Sequence, residues 1–542
     1  MLVIDTRQLD EQADKLSDSE VYWTYCALDC CVTYDVFLQV DKQLDAVARA
    51  TYNTSLATLP VVLEMMLSGF PIDINRRRTV LGHYEKQLEL LESQFNRLCT
   101  EGLGIPADRS KRDKGRSAVP INPASPQDVQ FLFHTVLGIP EKKKRRKGQS
   151  EATTTTDREV LESFRSYYFA EPFINHILAI RDCNKAIGFL RSKLDADHKI
   201  RCSFNIAGTK TGRLNSSFSD MGTGTNLQNV TGKLKDIFVP EPDEVLIDVD
   251  LEQGDSRGVG AIAWNWFVES HGEAWAGSYL DACESGDLHT TVTRMAWNNL
   301  GWPEDLDPAL CKKIAEQNAY RDLSYRDLSK KLGHGTNYLG QPNTMSQHAH
   351  LPVSTITDFQ KNYFGAFPCI KAWQLETISQ VREYRSLTTP WGRRRYFWDD
   401  PNAVPTHNAA IAYSPQSTTG EFINRGAIQL QRHRDRHNLP IRLLLQVHDS
   451  LVLAVKWRRL EELVPVILQQ LRVVLPLAKG REFTIPHGIK VGFNYGMTEF
   501  DKAGNVIGNP DGMRKWKGHD PRTPPKRLTT MTQLLNAPAI SR

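Results

Sequence analysis

The sequence predicts a mixed α/β (α+β) fold of about three or four domains, and three observations carry that expectation. The chain has 542 residues, too many for a single hydrophobic core. Leu81, Tyr84, Leu88, Leu91, Phe95 and Leu98 recur at alternating steps of three and four, the stripe of an amphipathic helix. DEVLIDVDL at 243–251 and IRLLLQVHDSLVLAV at 441–455 are instead rich in β-branched and apolar residues at strand spacing.

Composition narrows the class. With 40% hydrophobic and 24% charged residues this is an ordinary globular chain. The net charge is only +4, so any affinity for nucleic acid has to come from clustered cations. Nine cysteines without a CxxC pair argue against a secreted disulfide framework, and CALDCC at 26–31 lacks a nearby Cys/His pair to complete a zinc site. No apolar run approaches the ~20 residues of a membrane span. MLVIDTRQLDEQADK has neither the basic nor the apolar region of a signal peptide. The expectation is a reducing compartment and no membrane partner.

Taken in order, residues 1–48 are acidic and tyrosine-rich and too few for a domain. The helical stripe follows. Residues 104–158 read as linker-like, with KRDKGR, EKKKRRKGQ and TTTTD. The basic run Lys142 to Lys147 suits a solvated loop, a nuclear signal or a phosphate contact, and the sequence alone leaves these open. Short strands and turns occupy 200–270, helices 290–400, and a hairpin 441–455. Beyond 496 the chain is basic, proline-rich and reads as irregular.

Two strands carry acids. Val245, Ile247 and Val249 share one face of their strand, and Asp248 and Asp250 the other, with Asp255 five residues on. In the second stretch, His448-Asp449-Ser450 forms the turn between two apolar runs. A carboxylate at the edge of an apolar sheet is costly unless a cation sits beside it, and a shared Mg²⁺ removes that cost. Taken singly, each motif is better explained as a turn aspartate or a strand-end cap. A third stretch, RDLSKKLGHGTNYLG at 326–340, sets Arg326, Lys330, His334 and Tyr338 at steps of four, with Gly333 and Gly335 beside the histidine. Arginine and lysine one turn apart match a polyphosphate. Paired acids plus a polyphosphate stripe point to phosphoryl transfer, with the acceptor left open.

These stretches resemble the family A DNA polymerases, the bacterial DNA polymerase I type. DLEQGDSR is similar to motif A (DYSQIELR), RDLSKKLGHGTNYLG to motif B, and QVHDSLV to motif C (QVHDELV). TKTGRLNSSFSDMGTGTNLQNV, GDLHTTV, YFGAFPCI, TTPWGRRRYF, SPQSTTGE and TLPVVLEMMLSGFPIDINR match further family segments in order, from about residue 25 to 495. The resemblance implies a right hand: thumb at 49–198, palm at 199–290 and 401–495 with an antiparallel sheet, helical fingers at 291–400, and a basic C-terminal extension at 496–542. It implies two Mg²⁺ ions, replaceable by Mn²⁺, held by Asp250, Asp449 and the Leu251 carbonyl. Arg326 and Lys330 would bind the triphosphate, Lys330 also protonating pyrophosphate. His334, Tyr338, Asp255, Gln253 and His289 would complete the dNTP site. Arg213, Asn226, Gln228, Gln416, His448 and the run Lys142, Lys143, Lys144, Arg145 and Arg146 would contact primer-template DNA. The glycines would let a backbone approach the base pair and swing as the fingers close.

The chain departs from the family pattern in several places. Asp255 stands where the family has glutamate, and His334 where it has Phe or Tyr. Ser450 replaces an acid that Asp248 is expected partly to supplant. Asn408 and Ala412 stand where arginine and asparagine are usual. Tyr25 and Asp29 match the last motif of a 3′–5′ exonuclease domain, so residues 1–48 read as a remnant of its end. Either proofreading is absent or a separately encoded exonuclease polypeptide supplies the rest; a processivity or helicase partner is a further expectation. The divergent motifs suggest a phage-like member. Two rival readings are a single-subunit RNA polymerase-like enzyme and a catalytically dead DNA-binding replication component.

Overall fold

The structure is a computed structural model that describes residues 17–110, 118–144, 153–320, 323–349, 351–501 and 503–525. In chain order, the helices that bear on the site are α1 (Asp18–Asp41), α2 (Ala46–Ser68), α3 (Ile74–Arg97) and α4 (Glu171–Leu190). After strand β1 (Glu244–Leu251) come α5 (Gly254–His271), α6 (Glu273–Glu284), α7 (Leu288–Ala296) and α8 (Tyr325–Asn337). They are followed by α9 (Pro342–Ala349), α10 (Val353–Ala366), α11 (Pro368–Tyr384) and α12 (Val404–His437). Strands β2 (Ile441–Val447), β3 (Ser450–Lys456), β4 (His487–Gly492) and β5 (Arg514–Lys515) come next. The chain divides into two compact units, one of Met1–Leu59, Gln253–Arg425 and Val474–Thr484, the other of Pro60–Glu252, Gly426–Val473 and Ile485–Arg542.

The second unit is built on a five-stranded antiparallel sheet of order β2-β3-β1-β4-β5. β1 is central because its residues on both faces are apolar enough to bury; only Asp250 is half-exposed. In the same unit, a helical core gathers Phe95 from α3 with Ile174 and Ile177 from α4. Leu88, Leu91 and Leu98 of the predicted stripe pack against it. Ile105, Ile121, Val129, Leu132, Phe133 and Ile139 are buried in the same core, so the linker-like reading of 104–158 is corrected. Its charged stretches had masked apolar residues spaced too irregularly to show a period. Beyond 496 the irregular reading is corrected at Arg514 and Lys515, where β5 pairs with β4 through Lys490–Lys515 and Val491–Arg514; residues 526–542 lie outside the described residues.

The first unit is helical. Val259 and Ile262 of α5, Tyr279 of α6, Leu332 of α8, Phe359 and Tyr363 of α10 and Trp373 of α11 share one buried cluster. α5 and α6 pack tightly because Gly260 lacks a side chain: a Cβ there would lie 2.9 Å from the Leu280 Cα. Among the described residues, no helix is long and apolar enough to cross a membrane.

Candidate active site

The acid-bearing residues lie in the sheet unit. β2 and β3 form a hairpin in which Val447 faces Ser450, leaving His448 and Asp449 as the two turn residues. On the next strand pair, Ser450 faces Asp250. The Leu251 N–H donates to the Asp449 carbonyl at 3.1 Å, so the end of β1 grips the turn and brings the two aspartates together. Burial raises the Asp250 pKa to about 6, the neighbouring Asp449 carboxylate adds to that, and Lys490 opposes it. Two crowded hard oxygen donors of this kind fit a divalent cation, which would reverse the repulsion that raises Asp250. Among the described residues, no group of three or more His, Cys, Asp or Glu side chains has metal-holding geometry, so a cation here would rest on two carboxylates and main-chain oxygen.

The turn is held in an unusual shape. His448 has φ +56°, the left-handed region that a non-glycine residue occupies only when its surroundings impose it. The Gln446 side-chain amide donates to the His448 carbonyl. Gln228 in turn donates to the Gln446 side-chain oxygen at 3.0 Å, the Gln446 carbonyl at 3.2 Å and the Leu214 carbonyl at 3.3 Å. Gln228, expected at the DNA, is thus buried and engaged with the chain beneath the turn. Asn226 accepts from Ser216 Oγ at 2.7 Å and from the Gln228 N–H at 3.0 Å. Arg213 is half-buried and His448 is exposed. Lys142 and Lys143 are exposed, Lys142 donating to Ser163 Oγ at 2.9 Å. The side chain of Lys144, and all of Arg145 and Arg146, lie outside the described residues.

The cationic stripe lies in the helical unit. α8 starts with a capping box: Ser324 Oγ accepts the Asp327 N–H at 3.0 Å and Asp327 Oδ2 accepts the Ser324 N–H at 3.2 Å. Arg326, Lys330 and His334 ride on the helix; Tyr338 is its C-cap, its ring 4.7 Å from that of His334. Arg326 forms a two-pronged pair with Asp287, Nε to Oδ2 and Nη2 to Oδ1 at 3.0 Å each. Asp287 also caps α7, its Oδ1 accepting the Thr290 N–H at 3.3 Å, while its Oδ2 accepts the Thr290 hydroxyl at 2.8 Å. Burial alone would raise the Asp287 carboxyl, but Arg326 and Thr290 outweigh it and hold the pKa at about 2. His289 is pushed down to about 4 by burial first, then by Arg326 and Lys330, so its imidazole is neutral at pH 7. Burial also lowers His334, against the pull of nearby Asp255.

The glycines beside His334 stand where an added Cβ would meet protein. A Cβ on Gly335 would come within 2.9 Å of Met345 Cε on α9, and one on Gly333 would touch the Tyr363 ring at 3.5 Å. Both face protein. The end of α8 is locked by buried polar bonds: Asn337 Nδ2 donates to the Tyr279 hydroxyl at 2.8 Å, the Tyr363 hydroxyl donates to Asn337 Oδ1 at 2.9 Å, and Gln374 donates to the Thr336 carbonyl at 2.7 Å. Gln253 precedes α5 with φ +56°, Asp255 sits in the first turn of α5, and Gln416 is half-buried in α12. Tyr25 and Asp29 are exposed on α1.

Sequence reasoning assigned no role to Gln446, Asp287 or Asn337. Each stands inside a motif already quoted, and only the fold reveals what its side chain holds.

A family model described as DNA polymerase family A matches residues 107–263 and 304–496. The chain is 23% identical over 462 residues to DNA polymerase I of Geobacillus stearothermophilus, covering 81% of this chain and 45% of that protein. It is 26% identical over 484 residues to DNA polymerase I of Mycobacterium leprae, covering 85% and 46%. The thermostable DNA polymerase I of Thermus aquaticus is 24% identical over 449 residues, covering 80% and 46%. The chain thus spans about half the length of these relatives. Among solved structures, the POL domain of Pol1 from M. smegmatis, in complex with DNA primer-template and dNTP, superposes with a TM-score of 0.61 at 21% identity. That match covers 81% of this chain and 69% of the other.

Proposed function

Because the chain belongs to DNA polymerase family A, we propose that it carries out template-directed DNA synthesis, joining dNTPs to a primer 3′-hydroxyl with release of pyrophosphate. The observation that carries this reading is the close pairing of Asp250 with Asp449, where burial first and then the Asp449 carboxylate raise Asp250, an arrangement that suits a divalent cation. Asp250, Asp449 and the Leu251 carbonyl would hold two Mg²⁺ ions, with Mn²⁺ expected to substitute. When bound, the ions supply activation of the primer hydroxyl and neutralisation of the triphosphate. Arg326 and Lys330 bind the β- and γ-phosphates, Lys330 giving its proton to the leaving pyrophosphate. Arg326 first has to exchange Asp287 for phosphate. His334 packs on the incoming nucleotide and Tyr338 backs the nascent base pair on the template side, with His289, Gln253 and Asp255 around the sugar and phosphates. Arg213, Asn226, Gln416, His448 and the basic run from Lys142 contact primer-template DNA, and Gln228 acts from beneath the turn.

We read Tyr25 and Asp29 as insufficient for proofreading by themselves, so the isolated chain should lack 3′–5′ exonuclease activity. Either proofreading is absent or a separately encoded exonuclease polypeptide completes it, and a processivity or helicase factor is a further partner. The proposed site of action is the cytoplasm.

Primer extension tests the reading. Matched 3′ ends should extend with dNTPs far better than with rNTPs, mismatched ends should remain untrimmed, and Asp449→Ala should abolish extension. Extension that survives Asp449→Ala would remove the active-site assignment, and a preference for rNTPs would replace it with RNA synthesis.

A further inference from the structure

Asp248 stands two residues before Asp250 on central strand β1, and therefore on the same face. It is only 9% exposed. Its Oδ2 lies 3.5 Å from the Lys490 ammonium, and its buried Oδ1 has no hydrogen-bond partner among the described residues. A carboxylate oxygen shut away from water without a donor is costly, and a nearby cation is what makes it tolerable. On one side of β1, Val452 faces Asp248 and Ser450 faces Asp250, so β3 offers no charge. Ser450 instead donates its hydroxyl to the Val447 carbonyl at 3.2 Å. On the other side, Lys490 faces Asp248 and Gly488 faces Asp250. Lys235, its ammonium 4.2 Å from the centre of the Tyr495 ring, is a second cation whose charge is felt at both aspartates.

We propose that Asp248 adds a negative charge to the divalent-cation site beyond those of Asp250 and Asp449, as a positioning residue with Lys490 for its counterion. The absence of a three-acid cluster of metal-holding geometry among the described residues makes it a neighbour of the ion and not a ligand. Two residues along a strand span about 7 Å, and a full charge at that distance changes the affinity for a divalent ion on the order of tenfold after solvent screening. The inference rests on the reading of Asp250 and Asp449 as metal-holding residues.

Mn²⁺ titration of the full chain, followed by electron paramagnetic resonance without DNA or nucleotide, reads the site without requiring catalysis. Asp248→Asn should raise the Mn²⁺ Kd about tenfold, and Lys490→Gln should lower it roughly threefold. Adding Ser450→Glu to Asp248→Asn should recover most of the lost affinity. A merely structural ion pair would not shift Kd in opposite directions when its two members are neutralised. If Asp248→Asn fails to fold, the sign of Lys490→Gln decides alone. An unchanged Kd in Asp248→Asn, or a weaker Kd in Lys490→Gln, overturns the proposal. Asp449→Asn keeps the two readings apart: binding lost there but unchanged in Asp248→Asn defeats only the role of Asp248, whereas binding retained in Asp449→Asn defeats the metal site itself.

Discussion

Arg326 is committed twice in this molecule, once by geometry to Asp287 and once by proposed function to a triphosphate. Its guanidinium presents one fork, and the paired carboxylate occupies it. Asp287→Asn keeps the α7 cap but weakens the competitor, so the KM for dNTP should fall several-fold in steady-state extension assays; an unchanged KM would mean the pair does not compete with substrate. The same pair has a pH signature. The Asp287 pKa is depressed when folded, so its stabilisation is complete above the unfolded value near 4 and is lost as pH falls through about 2. That contribution is at most about 2 kcal/mol, and acid unfolding curves of Asp287→Asn should lack it. His334 can donate a hydrogen bond to a nucleotide sugar where the family's Phe cannot. One such bond is worth about 1 kcal/mol, so His334→Phe should change the dNTP/ddNTP discrimination ratio roughly fivefold in competitive incorporation. Both residues were visible in the sequence, since spacing alone marked them as a stripe. Asp287 was not, because a contact across 39 positions leaves no local pattern.

At the scale of elements, the turn between β2 and β3 depends on residues that never reach its tip. Strand spacing and the His448-Asp449-Ser450 turn were legible because alternation and turn chemistry are local properties. The strain at His448 and its brace through Gln446 and Gln228 were not, because 218 residues separate Gln228 from Gln446. Supporting residues of this sort typically cost 10–100-fold in metal affinity or activity when removed. Gln228→Ala should therefore reduce Mn²⁺ affinity and extension rate together by about that range, although its side chain is expected to touch neither substrate. Loss of DNA affinity with intact metal binding would return Gln228 to the DNA interface. α8 teaches the converse. A Cβ on Gly335 would crowd Met345, whereas one on Gly333 would make only ordinary contact with Tyr363. A glycine records that something comes close, without recording what.

For the whole molecule, the order of motifs carried the fold class, because a sheet and helices built from strongly periodic segments survive wide sequence divergence. Segments whose order comes from tertiary contacts were misread, and the region after 496 is the clearest case. Its proline and charge content resembles a solvated tail, but β5 completes the sheet edge at β4. Arg522 then donates to the carbonyls of Val491 at 2.9 Å, Gly512 at 2.7 Å and Pro510 at 3.2 Å, while pairing with Asp520 at 2.6 Å. Its side chain is 12% exposed and that of Asp520 is 8%. A largely enclosed guanidinium with these partners cannot be removed cheaply, because Asp520 and three main-chain oxygens would lose their donor. Arg522→Ala should cost about 3–5 kcal/mol in urea unfolding of the full chain. Deleting 497–542 should cost at least as much, because it also uncovers β4, the strand that carries Lys490 and Gly488 opposite the two acids of β1. Metal affinity should fall in parallel with stability, tying the register of β4 to the site. An unfolding midpoint unchanged by the deletion would show that the sheet does not need its fifth strand.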